Sequence, residues 1–363
     1  HFNRDGLGNC RRRSLESLKE EEKEMSTKKS ETKTVKGVGL DIGTMNLVSA
    51  RRGAKGVETR RMRDAFLDLP PNAKKMLKLS GANFIEREDD VLILGDAALE
   101  TANIFGQEAR RPLRAGLISP SEVDSLEVLG LLVKHVLGEP MEKNEVCYFS
   151  VPAAPVEKLG QDVVYHQGVF ERIVRECGYE PYPANESMAI IYSETASDGF
   201  SGIALSFGSG MTNIALAVNT IEGLCFSVER GGDWIDAGAA RSVGSTQARI
   251  CAIKEQGIDL NNPLNRDQEA IAFYYKNLIE YAIDNIAKQF KLIQGQFALP
   301  KPIPMIISGG TSLAGGFMEF FTKVFEKKKK RFPIEVSEIR HAGDPLNAVA
   351  HGMLVQAMQE YED

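Results

Sequence analysis

The hydrophobic positions along the chain follow two spacings in alternation, one typical of strands and the other typical of helices. Short β-rich runs predict strands at residues 35–42, 146–151, 202–207, 213–218, 224–229 and 303–308. Helical spacing of apolar residues predicts helices at residues 121–137, 162–177, 234–242, 246–256, 267–294 and 345–359, with others starting near residue 185 and ending at residues 327–330. This alternation predicts a mixed α/β protein.

The pattern occurs twice, once in each half of the chain. Each half opens with a strand, a glycine-rich turn and further strands. Because sheets bury their apolar faces against helices, the repeat predicts two related α/β domains with a cleft between them. Residues 53–91 are weakly patterned and contain Pro70-Pro71, which indicates a small insertion rather than core.

Residues 1–34 differ from the rest of the chain because they are polar and dense in charge. Their few apolar side chains bury too little surface to offset the entropy lost on ordering. We expect a disordered tail here, or sequence added upstream of Met25, which is a plausible start. A docking arm is the alternative.

Composition limits the class of protein. The chain has 363 residues, of which 43% are hydrophobic and 26% charged, and no apolar run approaches the about 18 residues that a spanning helix needs. The net charge of −6 argues against a dedicated nucleic-acid-binding protein. Five cysteines without a CxxC pair argue against a disulfide framework or zinc site, so we expect a cytoplasmic protein.

Three glycine-rich turns, each directly after an apolar strand, carry the candidate chemistry. They are Asp41-Ile-Gly43-Thr44-Met45-Asn46, Ser206-Phe-Gly208-Ser209-Gly210-Met211-Thr212 and Ser308-Gly309-Gly310-Thr311-Ser-Leu313. Glycine allows backbone N–H groups to approach an anion, and a threonine hydroxyl adds a donor for phosphate oxygens. A carboxylate after a buried strand, as at Asp41, requires compensation, and hydrated Mg²⁺ beside phosphates is a natural partner.

Each turn alone is also compatible with a plain hairpin. The sequence contains neither a GxxxxGK[ST] motif nor a GxGxxG motif that opens a helix, so the P-loop and Rossmann signatures are missing. The evidence is therefore the ordered set of three turns.

In this order the turns resemble the two phosphate motifs and the adenosine motif of the actin, chaperone-ATPase and sugar-kinase superfamily. The resemblance runs from residue 35 to the end of the sequence and is nearest to prokaryotic actins of the MreB and magnetosome type. Further similar segments are Arg111-Pro-Leu-Arg-Ala-Gly-Leu-Ile118, Val151-Pro152, Arg230-Gly-Gly-Asp233 with Asp236, and Asp344-Pro-Leu-Asn-Ala-Val-Ala-His-Gly352.

The resemblance implies a specific architecture. It implies two related actin-like (ribonuclease H-like) domains that flank a nucleotide cleft, each with a smaller subdomain. The first domain would span residues 35–198, with about 53–91 as its small subdomain and 338–363 returning to it. The second would span residues 199–337, with about 237–276 as its small subdomain.

The resemblance also implies site residues for ATP or ADP with Mg²⁺. Asp41 would organise the metal with Ser206, and Glu186 would position the attacking water, although a glutamate in a first helical turn is also favoured by the helix dipole alone. The implied nucleotide-binding residues are Gly43, Thr44, Met45, Asn46, Gly208, Ser209, Gly210, Met211, Thr212, Gly232, Asp233, Lys254, Glu255, Gly309, Gly310 and Thr311.

Ser206 departs from the family pattern, which usually has an aspartate at this position. A serine is uncharged at neutral pH, and the loss of one carboxylate near Mg²⁺ is worth roughly 10²-fold in rate. We therefore expect nucleotide binding to be kept and hydrolysis to be slow or altered.

Three functions follow from the resemblance. The first is an actin-like cytoskeletal protein that polymerises head-to-tail with itself, since heterologous contacts generate open filaments. The second is a small-molecule kinase on the same scaffold, for which the sequence offers no clear substrate loop. The third is a non-polymerising nucleotide-binding scaffold for a membrane or adaptor protein.

Overall fold

The computed structural model describes residues 35–80, 84–105, 107–119, 121–122, 124–157, 163–293, 295 and 302–362. The proposed tail at residues 1–34 lies outside the described residues. The strands are β1 (Val38–Ile42), β2 (Asn46–Gly53), β3 (Gly56–Arg63), β4 (Phe66–Leu69), β5 (Ile85–Glu86), β6 (Val91–Leu94), β7 (Leu113–Arg114), β8 (Leu117–Ile118), β9 (Glu145–Val151), β10 (Tyr179–Asn185), β11 (Gly202–Phe207), β12 (Thr212–Val218), β13 (Ile221–Val228), β14 (Ile303–Ser308) and β15 (Val336–His341). The helices are α1 (Lys74–Ser80), α2 (Asp96–Phe105), α3 (Ser125–Leu137), α4 (Val163–Glu176), α5 (Glu186–Glu194), α6 (Gly232–Val243), α7 (Gln247–Glu255), α8 (Arg266–Leu292), α9 (Phe317–Lys328) and α10 (Ala348–Gln359).

Two five-stranded sheets of the same topology form the framework. Their strand orders are β10-β9-β1-β2-β3 and β13-β12-β11-β14-β15. In each sheet the first three strands in the chain pair antiparallel, and the two later strands are parallel to the first. The prediction of two related α/β halves is confirmed.

Helices α5 and α10 pack against each other where the two halves meet. Helix α10 covers β1 and β9 of the first sheet, and α5 packs on β11 and β12 of the second. A Cβ atom at Gly39 would lie 2.2 Å from Ala350 O, and one at Gly352 would lie 1.8 Å from Ala189 O. Glycine at these positions therefore allows a helix to approach a strand and a second helix closely.

A small sheet with the order β4-β6-β5 extends from the first half, and α2 packs on it. Its own apolar cluster includes Phe84, Ile93 and Ala98. Strand β3 belongs to the first large sheet, where all eight of its residues pair with β2, so the small unit begins after residue 63 and not at 53. The sequence gives no apolar pattern for this strand because it is an edge strand with mostly exposed residues.

The chain returns to the first half later than the expected residue 338. Strand β15 pairs in parallel with β14 and forms an edge of the second sheet. The crossing back therefore follows His341 and precedes α10. The predicted smaller unit at residues 237–276 is helical and contains most of α6, all of α7 and the start of α8. In the described part of the chain, no helix combines the length and hydropathy that crossing a bilayer requires.

Candidate functional site

The three glycine-rich turns meet in one cleft between the two large sheets. The cleft has a volume of about 560 Å³. Its lining includes these residues predicted from the sequence: Asp41, Gly43, Thr44, Met45, Asn46, Glu186, Ser206, Gly208, Ser209, Gly210, Met211, Gly232, Lys254, Glu255, Gly309, Gly310 and Thr311. The first and third turns, which are more than 260 residues apart in the chain, are thus brought to one cleft.

Two predicted binding residues have other partners. The Thr212 side chain is fully buried, and its hydroxyl donates to Arg230 O at 2.8 Å, so it is directed away from the cleft. Asp233 forms an ion pair with Arg111 at 3.2 Å and does not line the cleft. The Thr212 hydroxyl therefore joins the end of the second turn to the backbone of Arg230. Asp233 connects the start of α6 to Arg111 in the first half of the chain.

The first turn joins β1 to β2 and is closed by its own backbone. Gly43 N donates to Asn46 O at 3.0 Å. The hydroxyl oxygen of Thr44 accepts a hydrogen bond from Gly116 N at 3.0 Å, at the tip of the β7–β8 hairpin. This contact leaves the hydroxyl proton of Thr44 able to donate to a ligand in the cleft.

The second and third turns are bonded to each other and to α6. Gly208 O accepts both the Thr311 hydroxyl at 2.9 Å and Gly232 N at 3.0 Å. Gly309 has φ +91°, and a Cβ atom there would lie 2.4 Å from Phe207 O. The backbone conformation and the close approach of the two turns therefore both require glycine.

The cleft contains a buried polar atom that suits an anionic ligand. Among the described residues, the Ser209 hydroxyl has no hydrogen-bond partner although it is buried. A buried hydroxyl without a partner costs free energy, which a phosphate oxygen would recover. Around it, the glycines of the second turn present backbone and no side-chain bulk, which leaves room for phosphates.

Asp41 and Glu186 place two carboxyl groups at the base of the cleft. Asp41 Oδ1 accepts the Ser150 hydroxyl at 3.0 Å, and burial raises the Asp41 pKa despite this bond. Burial and the nearby charge of Asp41 raise the Glu186 pKa, while hydrogen bonds from Ser206 and Asn213 partly lower it. A cation in the cleft would stabilise both ionised forms.

Lys254 and Glu255 reach the cleft from the end of α7. Lys254 Nζ lies 2.8 Å from Asp236 Oδ1 and donates to Gly232 O at 3.1 Å. Burial raises the pKa of Asp236 to about 6, and Lys254 opposes that shift. Glu255 forms an ion pair with Arg63 of β3 at 3.0 Å, so a charged contact spans the two halves beside the cleft.

The structure adds site residues that sequence reasoning missed. Ser150 orients Asp41, Gly116 binds Thr44, and Asn213 donates to Glu186 at 2.8 Å. Neither Ser150 nor Gly116 lies in a glycine-rich turn that directly follows a predicted strand, so the pattern that marked the other site residues does not mark these two. Asn213 follows the second motif directly, and an amide at the start of an otherwise apolar strand was an available signal.

The described residues hold no group of three or more His, Cys, Asp or Glu side chains arranged as a metal site. Asp41 is nevertheless a hard oxygen ligand beside a cradle suited to phosphates. This donor set fits Mg²⁺ that keeps most of its waters and is carried by a nucleotide, as Mg²⁺ commonly is.

A family model described as Volactin matches residues 37–357 of the chain. The chain has no significant match among curated proteins. Among solved structures it is similar to the MamK double helical filament, with 18% identity, 90% of this chain and 98% of that chain covered, and a TM-score of 0.65. It is also similar to MreB5 of Spiroplasma citri bound to AMPPNP, with 17% identity, 91% of this chain and 98% of that chain covered, and a TM-score of 0.60. For a non-polymerising MamK mutant bound to AMPPNP, the identity is 19%, the coverage is 88% of this chain and 98% of that chain, and the TM-score is 0.54. These similarities show the fold of the actin-like two-domain ATPases.

Proposed function

The chain belongs to the Volactin family, and from its fold and its cleft we propose that it is a nucleotide-dependent, actin-like cytoskeletal protein. It binds ATP or ADP with Mg²⁺ between its two halves and polymerises into head-to-tail filaments in the cytoplasm. The observation that carries this proposal is the convergence of three glycine-rich turns on one cleft that contains Asp41 and Glu186.

The chain's own residues divide the binding task. The first and second turns hold the phosphates, with the Thr44 and Ser209 hydroxyls as donors, and the third turn faces the adenosine. Asp41, oriented by Ser150, together with Ser206, holds the hydrated metal. Mg²⁺ supplies charge neutralisation of the phosphates.

Glu186 is the proposed acceptor of a proton from the attacking water. Its position at the first residue of α5 is fixed by the Asn185 side chain, which caps the helix by accepting Ser187 N at 2.9 Å and Met188 N at 3.2 Å. Burial and the charge of Asp41 raise the Glu186 pKa to about 8, and a cation bound in the cleft would lower it toward neutral pH, where a general base transfers protons efficiently.

Ser206 makes the proposed hydrolysis slow. Its hydroxyl lines the cleft but supplies no charge beside the metal. In a sheltered site, one missing electrostatic interaction is worth roughly 10²-fold in rate. We expect nucleotide affinity to be retained and phosphate release to be slow.

The similar structures support the assembly part of the proposal. MamK forms a double helical filament, and MreB5 binds AMPPNP. A heterologous contact repeated along one direction gives an open filament, and closure of two halves around a nucleotide changes the shape of the contact surfaces. Self-association would therefore depend on the nucleotide.

Negative-stain microscopy of the purified protein with ATP, with ADP and without nucleotide tests assembly, with phosphate release measured on the same samples. We expect filaments with ATP and fewer or shorter ones without nucleotide. A protein that stays monomeric at high concentration in all three samples would refute the proposal.

Ser206 favours one alternative, a nucleotide-binding scaffold for a membrane or adaptor protein. This function requires tight nucleotide binding without turnover and without filaments. Calorimetry combined with the same microscopy separates the two functions.

A further inference from the structure

Asn213 at the start of β12 bridges the two halves of the protein at the base of the cleft. Its Oδ1 accepts Ala153 N at 3.1 Å, and its Nδ2 donates to Glu186 Oε2 at 2.8 Å. Ala153 follows β9 of the first sheet, in a segment that is itself bonded to Ser227 of β13, and β12 belongs to the second sheet. The Asn213 side chain is 1% exposed, so water competes little for these bonds.

The orientation of the Asn213 amide follows from these partners. A backbone N–H can only donate, so the oxygen of the amide must face Ala153. The NH₂ group must then face Glu186, and the Glu186 Oε2 atom must accept. Ser206 of β11 lines the cleft together with Glu186.

Glu186 is therefore held by an uncharged donor from the second sheet, although α5 continues directly from β10 of the first sheet. A hydrogen bond weakens steeply with distance and angle, so this contact restricts how the Glu186 carboxyl group can turn, and the remaining acceptor capacity of that group is left for a ligand in the cleft.

We propose that Asn213 is a positioning residue that orients Glu186 for proton transfer. This inference rests on the proposed nucleotide hydrolysis. It predicts that loss of the Asn213 amide impairs turnover and leaves nucleotide binding intact, because the amide binds Ala153 and Glu186 and none of the three turns that we propose to hold the nucleotide.

The test compares Asn213→Leu with Asn285→Leu in the full chain. Leucine has a similar size and no donor, and Asn285 is a half-buried asparagine in α8 whose amide donates to Tyr281 O at 2.9 Å, away from the cleft. We expect N213L to lower kcat for phosphate release about 10²-fold, as removal of one oriented donor does. Its Kd for AMPPNP should stay within about three-fold of the parent value, since no uniform binding contact is lost. N285L should change neither value.

Two outcomes of this comparison overturn the inference. One is a kcat for N213L within two-fold of the parent, and the other is a parallel loss of kcat and affinity, which indicates a merely structural role. Thermal unfolding of both variants controls for misfolding.

A second measurement does not depend on turnover. The side-chain NH₂ resonances of Asn213 can be assigned by their loss in N213L. In Glu186→Gln the charged acceptor of this NH₂ group is replaced by a neutral amide, so the hydrogen bond rearranges. The Asn213 resonances should then shift and exchange faster with water. Unchanged resonances in E186Q would overturn the proposed contact. If the parent hydrolyses no nucleotide but these resonances respond, the proposed hydrolysis fails and the positioning contact stands.

Discussion

Substitution of Gly210 by alanine should separate nucleotide binding from folding. A Cβ atom at Gly210 would lie 2.4 Å from Gly116 N, 2.5 Å from Thr44 Oγ1 and 3.0 Å from Ala115 C. Two of the three contacts involve the backbone of the β7–β8 hairpin, which cannot rotate away, so the second turn must move by about 0.5 Å or more relative to that hairpin and to Thr44 of the first turn, which the hairpin binds. The two turns that we propose to hold the phosphates would then lose their mutual alignment.

The magnitude follows from the cost of overpacking, which is roughly 1–3 kcal/mol for an added methyl group. If displacement of the turn absorbs that cost, nucleotide affinity falls roughly 5- to 150-fold at 1.4 kcal/mol per ten-fold. Trp234 is the only tryptophan of the chain and lies two residues after Gly232 of the cleft lining, so its fluorescence can report the titration.

The control is Gly130→Ala in the middle of α3, where a Cβ atom would meet no atom within 4 Å. Alanine is a better helix former, so G130A should raise the free energy of unfolding by up to about 1 kcal/mol and leave affinity unchanged. Parental nucleotide affinity in G210A, with the fold intact, would refute the proposed phosphate cradle.

Three further perturbations test separate parts of the structure. Ser206→Asp should speed phosphate release about 10²-fold by restoring a charge beside the metal, and a steady-state phosphate-release rate equal to the parent's would remove this role from position 206. Lys254→Met should lower the free energy of unfolding in urea by about 3 kcal/mol, because it leaves the buried Asp236 carboxylate without its cation. The double variant with Asp236→Asn should recover most of that loss. If the double variant is as unstable as the single one, the proposed ion pair is contradicted. Burial lowers the pKa of His166 to about 4 from 6.5, so the folded state binds a proton at this side chain less tightly than the unfolded state does. The free energy of unfolding is therefore unaffected by this group above pH 6.5 and falls by about 3 kcal/mol as the pH drops to 4. His166→Leu should remove this part of the acid sensitivity, and identical urea midpoints for parent and variant across pH 7 to 4.5 would show that the histidine is not the cause.

Much of the fold was predictable because its signals are local. The apolar runs at β11, β12 and β14 are buried throughout or nearly so, and glycine-rich turns follow β11 and β14 directly. Edge strands gave no such signal. Residues of β3 are mostly exposed, and the residues of β15 are exposed or half-buried with none fully buried, so only pairing with a neighbour reveals these strands.

The cleft was predictable as a set of turns but not as a set of side-chain bonds. Thr212 resembles a phosphate donor in sequence, yet the pleat of β12 directs its hydroxyl to Arg230 O. Neighbouring residues of a strand face opposite sides, so Asn213 takes the side that faces Glu186. One residue of register thus decides which of two polar side chains enters the cleft, and local sequence does not contain that register.

Helix α10 determines when the first half of the protein can complete its core during synthesis. The backbone of this helix lies against Gly39 of β1, yet more than 300 residues separate the two segments in the chain. On the ribosome, β1 and β9 therefore stay uncovered until almost the whole described chain has emerged. The strands of the second sheet lie in the chain between β9 and α10, so this sheet can form earlier. A nascent chain that is stalled before α10 has emerged should therefore have a folded second half and a first half that is accessible to proteases and chaperones.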